Sequence, residues 1–420
     1  MKIKPISRDI YLNRLIAGLD NDLVKVITGI RRCGKSYLLF KLFYEYLLGK
    51  RVLDSNIIRI NLDDDEFSDL TDFKTLGQFI RDKIVDDSQY YYVFIDEVQL
   101  CPNFEKVLNG LIRRENVQVY VTGSNSKFLS SDLITEFRGR SDEIRVYPLC
   151  FREFLSAFGE NKHAAWQSYL YYGGLPQVLS FDLDERKGEY LKNLIDLVYI
   201  RDIVERHKLK NKDMLSTLLL VLASSIGSLS NPHKLANTFN SNGIEVTDDT
   251  IAKDIDYLID SFILAKATRF NVKGRKYVGS PFKYYFVDMG LRNAYLNFRQ
   301  IEETHLMENI IYNELLVRGF NVDVGLVEVS LKNSSGNYVR RNLEVDFVCN
   351  LGSKRYYIQS AFSIPNLEKM EQEEQSLINI DDSFKKIIVV KDDIKLWRNE
   401  KGILIIGLME FLLNPNSLDL

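Results

Sequence analysis

Eight residues near the start of the chain, Gly29 to Ser36, constrain its fold more than any others. They read Gly-Ile-Arg-Arg-Cys-Gly-Lys-Ser, the spacing G-x-x-x-x-G-K-S. The run follows a β-branched stretch, Leu-Val-Lys-Val-Ile-Thr, and precedes a run of helix formers from Lys35 to Leu48, so it predicts a strand, a tight loop and a helix. Glycines let the main chain curl around an oxyanion, and the amides and dipole at the start of the helix favour negative charge. In that geometry Gly29, Ile30, Arg31, Arg32, Cys33, Gly34, Lys35, Ser36 and Tyr37 cradle the phosphates of a nucleotide such as ATP. Lys35 reaches the outer phosphates and the Ser36 hydroxyl ligates Mg²⁺. Arg31 and Arg32 are read as variable loop positions without a catalytic part.

A second motif completes the first. Tyr-Tyr-Tyr-Val-Phe-Ile is a buried type of strand, yet it ends in two carboxylates, Asp96 and Glu97. A charge at such a place is costly unless it is paired or binds a metal. Asp96 is therefore assigned to Mg²⁺ and Glu97 to the attacking water as general base. The strand Val-Gln-Val-Tyr-Val-Thr-Gly ends in a polar run beside it, where Ser124 is the first choice for a γ-phosphate contact, with Asn125 and Thr122 as alternatives. Arg138 and Arg140 precede the next strand and are candidates to stabilise charge in a neighbouring subunit's site, against the plain reading of solvated arginines. Asp63 to Glu66 read as a solvated loop.

Composition enters mainly by what it excludes. At 420 residues the chain exceeds one ordinary core. A net charge of -3 gives no overall pull toward nucleic acid or anionic membrane, so such binding would need a local basic patch. Cys33, Cys101, Cys150 and Cys349 are scattered without paired spacing, against a zinc site or disulfide framework and in favour of a reducing compartment. No stretch has the length of a membrane span or the pattern of an export signal, so the expectation is a soluble cytoplasmic protein with no membrane partner.

Strands and helices alternate from Leu23 to about Leu149, the pattern of a parallel sheet covered by helices. Beyond Pro148 the pattern turns helical. Helices after Met214, Asn231-Pro232 and Thr247, then a ribbon turning near Lys273 and Gly274, give the order of a winged helix-turn-helix. The remainder reads as a further α/β domain, with Lys-Lys-Ile-Ile-Val-Val-Lys and Gly402 to Leu413 as its last strands. The boundaries expected are 1–155 for the nucleotide domain, 156–212 for a helical lid region, 213–291 for the winged helix and 292–420 for the last domain.

Taken together, Gly-Ile-Arg-Arg-Cys-Gly-Lys-Ser, Phe-Ile-Asp-Glu-Val-Gln, Gly-Gly-Leu-Pro-Gln-Val-Leu, Tyr-Ile-Arg-Asp-Ile-Val-Glu-Arg and Leu-Glu-Val-Asp-Phe-Val resemble, over nearly the whole chain, the prokaryotic AAA+ ATPases that carry a C-terminal domain of unknown function. The resemblance implies an α/β P-loop NTPase fold with a parallel sheet ordered 5-1-4-3-2, and the usual roles for Lys35, Ser36, Asp96 and Glu97. It also implies that a neighbouring subunit completes the site, hence a homo-oligomer. The last domain resembles the PD-(D/E)XK nuclease fold in a degenerate form. Glu308 and Asp346 match its first two acids, whereas Gln359 and Ala361 stand where that fold has a metal-binding Glu and a Lys. An amide is a poor Mg²⁺ ligand beside a carboxylate, so no nuclease activity is expected, and Glu308 and Asp346 are expected to pair with arginines.

Two functions compete on these residues: a Mg²⁺-dependent ATPase that drives a conformational switch, or a module that holds ATP with little turnover while its later domains recognise protein or DNA. The sequence does not specify a protein partner. For DNA, the ribbon offers Lys266, Arg269, Lys273, Arg275, Lys276 and Lys283. The third helix, with Asp248, Asp249, Asp254, Asp256 and Asp260, would be repelled from a major groove, which favours packing over DNA binding.

Overall fold

The computed structural model describes residues 5–19, 21–124, 139–209, 211–332 and 338–420, with the backbone alone for 331 and 332. Asn125 and Arg138 lie outside the described residues. The chain divides into two compact units, one formed by the sequence up to Pro148 with Asp260–Phe262, the other by Leu149–Ile259 and Ile263–Leu420.

The first unit is built on a five-stranded sheet of β1 (Val24–Thr28), β2 (Ile57–Asn61), β3 (Tyr91–Asp96), β4 (Val117–Gly123) and β5 (Ser141–Arg145). All pairs are parallel and the order is β2-β3-β4-β1-β5, the expected 5-1-4-3-2 read from the other edge. The central strands β1 and β4 are buried along their whole length because both faces are covered, and the polar side chains within them are paired, Lys25 donating to Gln118 at 2.7 Å. On one face Val93, Ile95, Val119 and Val121 pack with Leu76 and Ile80 of helix Phe73–Lys83 and Leu108 of helix Phe104–Leu111. On the other, Phe94 and Tyr120 meet Phe43 at ring-centroid distances of 5.7 and 4.8 Å. Phe43 closes a π-helical stretch, Leu38–Phe43, within the helical run from Lys35 to Gly49. The aromatic cluster thus anchors the element that presents Lys35 and Ser36.

The second unit holds a mixed sheet of eight strands: β6 (Leu264–Asn271), β7 (Lys276–Phe286), β8 (Asn321–Lys332), β9 (Tyr338–Leu351), β10 (Lys354–Ala361), β11 (Lys385–Val390), β12 (Trp397–Arg398) and β13 (Leu404–Gly407). Their order is β12-β13-β11-β10-β9-β8-β6-β7. Helices Lys212–Ser224, Pro232–Ser241 and Asp248–Asp260 precede the ribbon, the second opened by Asn231, whose side chain accepts from the Lys234 amide. The ribbon β6/β7 does not stand alone. β6 pairs in parallel with β8, Asn271 opposite Leu326, so the ribbon continues the sheet of the C-terminal strands. The expected last strand also ends sooner than its hydrophobicity implies. After Gly407 the chain turns into helix Leu408–Leu413, because Leu408, Phe411 and Leu412 recur at helical spacing and bury one stripe.

The Gly-Gly-Leu-Pro run has a packing role. The Gly174 amide donates to the buried Asp288 carboxylate at 2.7 Å, and its carbonyl accepts from the Leu149 amide at 2.7 Å. A β-carbon on Gly290 would meet the Tyr172 carbonyl oxygen at 2.0 Å, so the two segments touch backbone to backbone.

Candidate functional site

The site lies at the carboxyl ends of β1, β3 and β4. After β1 the chain enters the glycine loop with Gly29 at φ 143° and Gly34 at φ 101°, conformations that L-residues avoid. A β-carbon on Gly29 would also sit 2.1 Å from the Val146 carbonyl oxygen, so the loop is packed as tightly as it is bent. The Cys33 thiol donates to that same carbonyl at 3.4 Å and Ile30 is buried, which fixes the base of the loop. Ser36 and Tyr37 are exposed, as is Arg32, while Arg31 is half-buried. Lys35 is buried, and its ammonium donates to the Gly29 and Ile30 carbonyls at 3.0 and 3.3 Å.

Across from the loop, β3 delivers Asp96 and β4 delivers Thr122. The Thr122 hydroxyl donates to Asp96 Oδ1 and accepts from the Glu97 amide at 3.1 Å. Burial pushes the Asp96 carboxyl above its ordinary value; hydrogen bonds from Thr122 and Ser36 pull it down, the Glu97 charge raises it and the Lys35 charge lowers it. Lys35 and Ser36 of the first motif are thus close enough to Asp96 of the second to act on its charge. Glu97 adopts a left-handed backbone, φ 49°, and its Oε2 accepts from the Ser124 hydroxyl at 3.1 Å and from the Gln99 amide.

The residues singled out in the sequence therefore divide. Lys35, Ser36, Asp96, Glu97 and Ser124 belong to one constellation, and Thr122, ranked behind Ser124, is the group that bridges Asp96 to Glu97. Arg140 is exposed just before β5, where its carbonyl accepts from the Val24 amide. Asp63 to Glu66 are exposed, Asp64 accepting from the Glu66 amide of its own turn. Gln99 was missed. Its only signal was an amide two residues beyond Glu97, and spacing alone does not say that such a side chain folds back.

A second polar cluster lies in the C-terminal sheet, and two expectations are corrected there. Glu308 and Asp346 pair with a lysine of the ribbon, not with arginines. Lys283 on β7 has its ammonium 2.9 Å from Glu308, 2.8 Å from Glu344 and 3.8 Å from Asp346, with only 5% of its side chain exposed. It is consequently not a phosphate-facing residue of the ribbon. Burial opposes its charge, but the Glu308, Asp346 and Glu344 carboxylates outweigh that and hold its pKa above the ordinary value. Tyr285 donates to Glu308 at 2.7 Å and the Ser360 amide to Asp346 at 2.8 Å. Gln359 accepts from the Asp346 amide at 3.4 Å, and Ala361 is buried. The carboxylates are thus engaged by groups of the chain itself. Among the described residues no group of three or more His, Cys, Asp or Glu is arranged to hold a metal ion, and no helix is long and apolar enough to cross a membrane.

Residues 21–155 match the model of a family described as an AAA domain, and residues 163–302 match a domain of unknown function (DUF8612). The chain is 34% identical over 389 residues to an uncharacterized protein of Haemophilus influenzae, covering 91% of this chain and 93% of that one. It is 27% identical to an uncharacterized protein of Methanocaldococcus jannaschii over 93% of this chain and 86% of that one. Among solved structures, the Walker-type ATPase of Pyrococcus abyssi shares its fold at 15% identity and a TM-score of 0.51, over 70% of this chain and 96% of that one.

Proposed function

We propose that this chain, which belongs to the prokaryotic AAA+ P-loop ATPases with a C-terminal domain of unknown function, hydrolyses ATP with Mg²⁺ and uses the cycle as a conformational switch. The observation that carries this reading is the placement of Asp96 at the end of β3, close enough to Lys35 and Ser36 of the phosphate loop for both to draw its carboxyl down against burial. A hydroxyl and a carboxylate are the hard oxygen donors Mg²⁺ takes, and with phosphate oxygens two protein ligands suffice. Ser36 and Asp96 would hold the ion, which when bound supplies positive charge against the triphosphate. Lys35 leaves the Gly29 and Ile30 carbonyls for the outer phosphates, Ser124 contacts the γ-phosphate, and Glu97 accepts the proton of the attacking water. Arg140, and Arg138 beyond the described residues, are the arginines a neighbouring copy would receive. The organisation proposed is an ATPase domain over 1–155, a helical lid region, a winged helix over 213–291 and a nuclease-like domain from 292. Four free, buried cysteines fit a reducing compartment such as the cytoplasm.

The second reading, a module that holds ATP with little turnover, has one observation in its favour. The Lys35 ammonium rests on its own loop, and the Glu97 carboxylate is tied by Gln99 and Ser124. Phosphate release by the purified full chain, with Mg²⁺ and with excess chelator, separates the two. Mg²⁺-dependent multiple turnover is expected; tight nucleotide binding with no release would favour the module.

Thr122 provides a finer test. Val is nearly the same shape as Thr but offers no hydroxyl, so Thr122→Val leaves the Asp96 carboxylate and the Glu97 amide each short of a partner. An unmet buried group costs about 1–3 kcal/mol. A fall of about 10- to 100-fold in kcat is expected, with Thr122→Ser restoring most of it, and unchanged kcat in both would remove Thr122 from the site.

A further inference from the structure

Because β6 and β8 are parallel neighbours, their last residues, and the first residues of β7 and β9 paired with them, lie at the same end of the sheet. Both hairpins are basic there. The first tip carries Lys273, Arg275 and Lys276, and the start of β9 carries Arg340 and Arg341, all five exposed. Arg341 pairs with Val329, three residues past Leu326, which faces the last residue of β6. At about 3.3 Å per residue the two groups stand roughly 10 Å apart along the strands. Residues 264–286 and 329–343 contain no Asp or Glu. Among the described residues none of the five cations has an ion-pair partner, although ion pairs are frequent elsewhere in the chain. The acid at the border, Glu328, accepts from Asn271 at 3.0 Å.

We infer that these paired hairpin ends are a docking surface for duplex DNA, held through its phosphates. Five cations without an ion-pair partner among the described residues, on adjoining strand ends, match the repeating array of phosphates on a duplex, and guanidinium groups fit phosphate oxygens in pairs. Tyr277, 67% exposed beside Lys276, offers a ring to the sugar edge. A membrane would also meet the charge, but the apolar groups exposed beside it, Tyr277, Tyr338 and Val339, are two rings with polar tips and one small side chain, short of the Trp, Phe and Leu face that seats a protein in a bilayer interface. The mode differs from docking by the third helix, Asp248–Asp260, whose acids would repel a phosphate backbone. The surface reads no bases, so the binding is insensitive to sequence.

The test is fluorescence anisotropy of the full-length chain with a labelled mixed-sequence duplex of about 20 base pairs, between about 50 and 300 mM salt. The wild type is compared with Lys273→Gln/Arg275→Gln/Lys276→Gln, with Arg340→Gln/Arg341→Gln, with the five combined, and with Asp248→Asn/Asp249→Asn. Binding with a log-log salt slope of about -0.9 per phosphate engaged is expected, shallower by about 1 for each cation removed. The Asp variant should bind like the wild type, and all variants should melt like it, since every substitution is at an exposed residue. The two smaller variants test the inference even if the fivefold one fails to fold. Equal affinity and slope in wild type and hairpin variants would overturn it, as would absence of duplex binding, or preference for single strands, RNA or phosphatidylserine vesicles over the duplex.

Discussion

A Lys35→Ala chain is expected to release phosphate about 100- to 1000-fold more slowly than wild type, with much weaker nucleotide binding. Lys35 is the one ammonium in the glycine loop, and removing one preorganised donor from developing charge costs rate on that scale. The hydrogen bonds of this ammonium within the chain go to two loop carbonyls, at 3.0 and 3.3 Å. The variant should therefore fold and melt close to wild type, which distinguishes a lost ligand contact from a lost loop. Glu97→Gln should behave differently. It keeps the shape and the hydrogen bonds around Ser124 and Gln99 but no longer takes a proton, so nucleotide should still bind while turnover falls about 100- to 10,000-fold. Titration with a fluorescent ATP analogue, alongside phosphate release, reads both effects. If Lys35→Ala hydrolysed ATP at the wild-type rate, the assignment of the glycine loop would fail.

The nucleotide half of this protein was legible because its signals are local. A glycine spacing, a strand and a helix start lie within about 25 residues, and their chemistry allows little else. Asp96 and Glu97 could be placed on the same grounds, since a buried strand that ends in acids needs a reason. What could not be read was which β4 side chain turns toward them. Thr122 and Ser124 lie on the same side of a period-two strand, and the choice depends on register: β3 and β4 pair with Ile95 opposite Val121, so the residues that follow, Asp96 and Thr122, meet. The C-terminal half was legible element by element, not by contact. Gly402 to Leu413 looked like one strand because a short apolar run has no period of its own, and burial of Leu408, Phe411 and Leu412 decides for helix. Lys283 was read as a ribbon cation because the sequence shows its neighbours on β7 but not the helix Glu303–Val317 and strand β9 that converge on it.

That convergence makes Lys283→Met the substitution with the largest expected effect on stability. The side chain of Met fills much the same space, so what is lost is the charge. Glu308, Glu344 and Asp346 would remain together without their cation, and breaking a buried ion pair from one side costs about 3–5 kcal/mol. Both tryptophans, Trp166 and Trp397, lie in the second unit. Their fluorescence in a urea titration therefore reports this unit, and the transition should move to lower urea with little change in slope. The loss should also depend on pH in a defined direction. Burial first, and the Glu308 charge next, push the Asp346 carboxyl up to about 8, while Lys283 pulls it back. With a folded value above the ordinary 3.8, the stability from protonated Asp346 is complete at low pH and is lost as pH rises through about 8. Without Lys283 the ionised form loses its main support, so the deficit should be greater near pH 9 than near pH 6. Adding Glu308→Gln to Lys283→Met should recover part of it, because one of the stranded charges is gone. A Lys283→Met chain as stable as wild type at both pH values would mean that these carboxylates reach water, and that the cluster does not hold the ribbon to the sheet by charge.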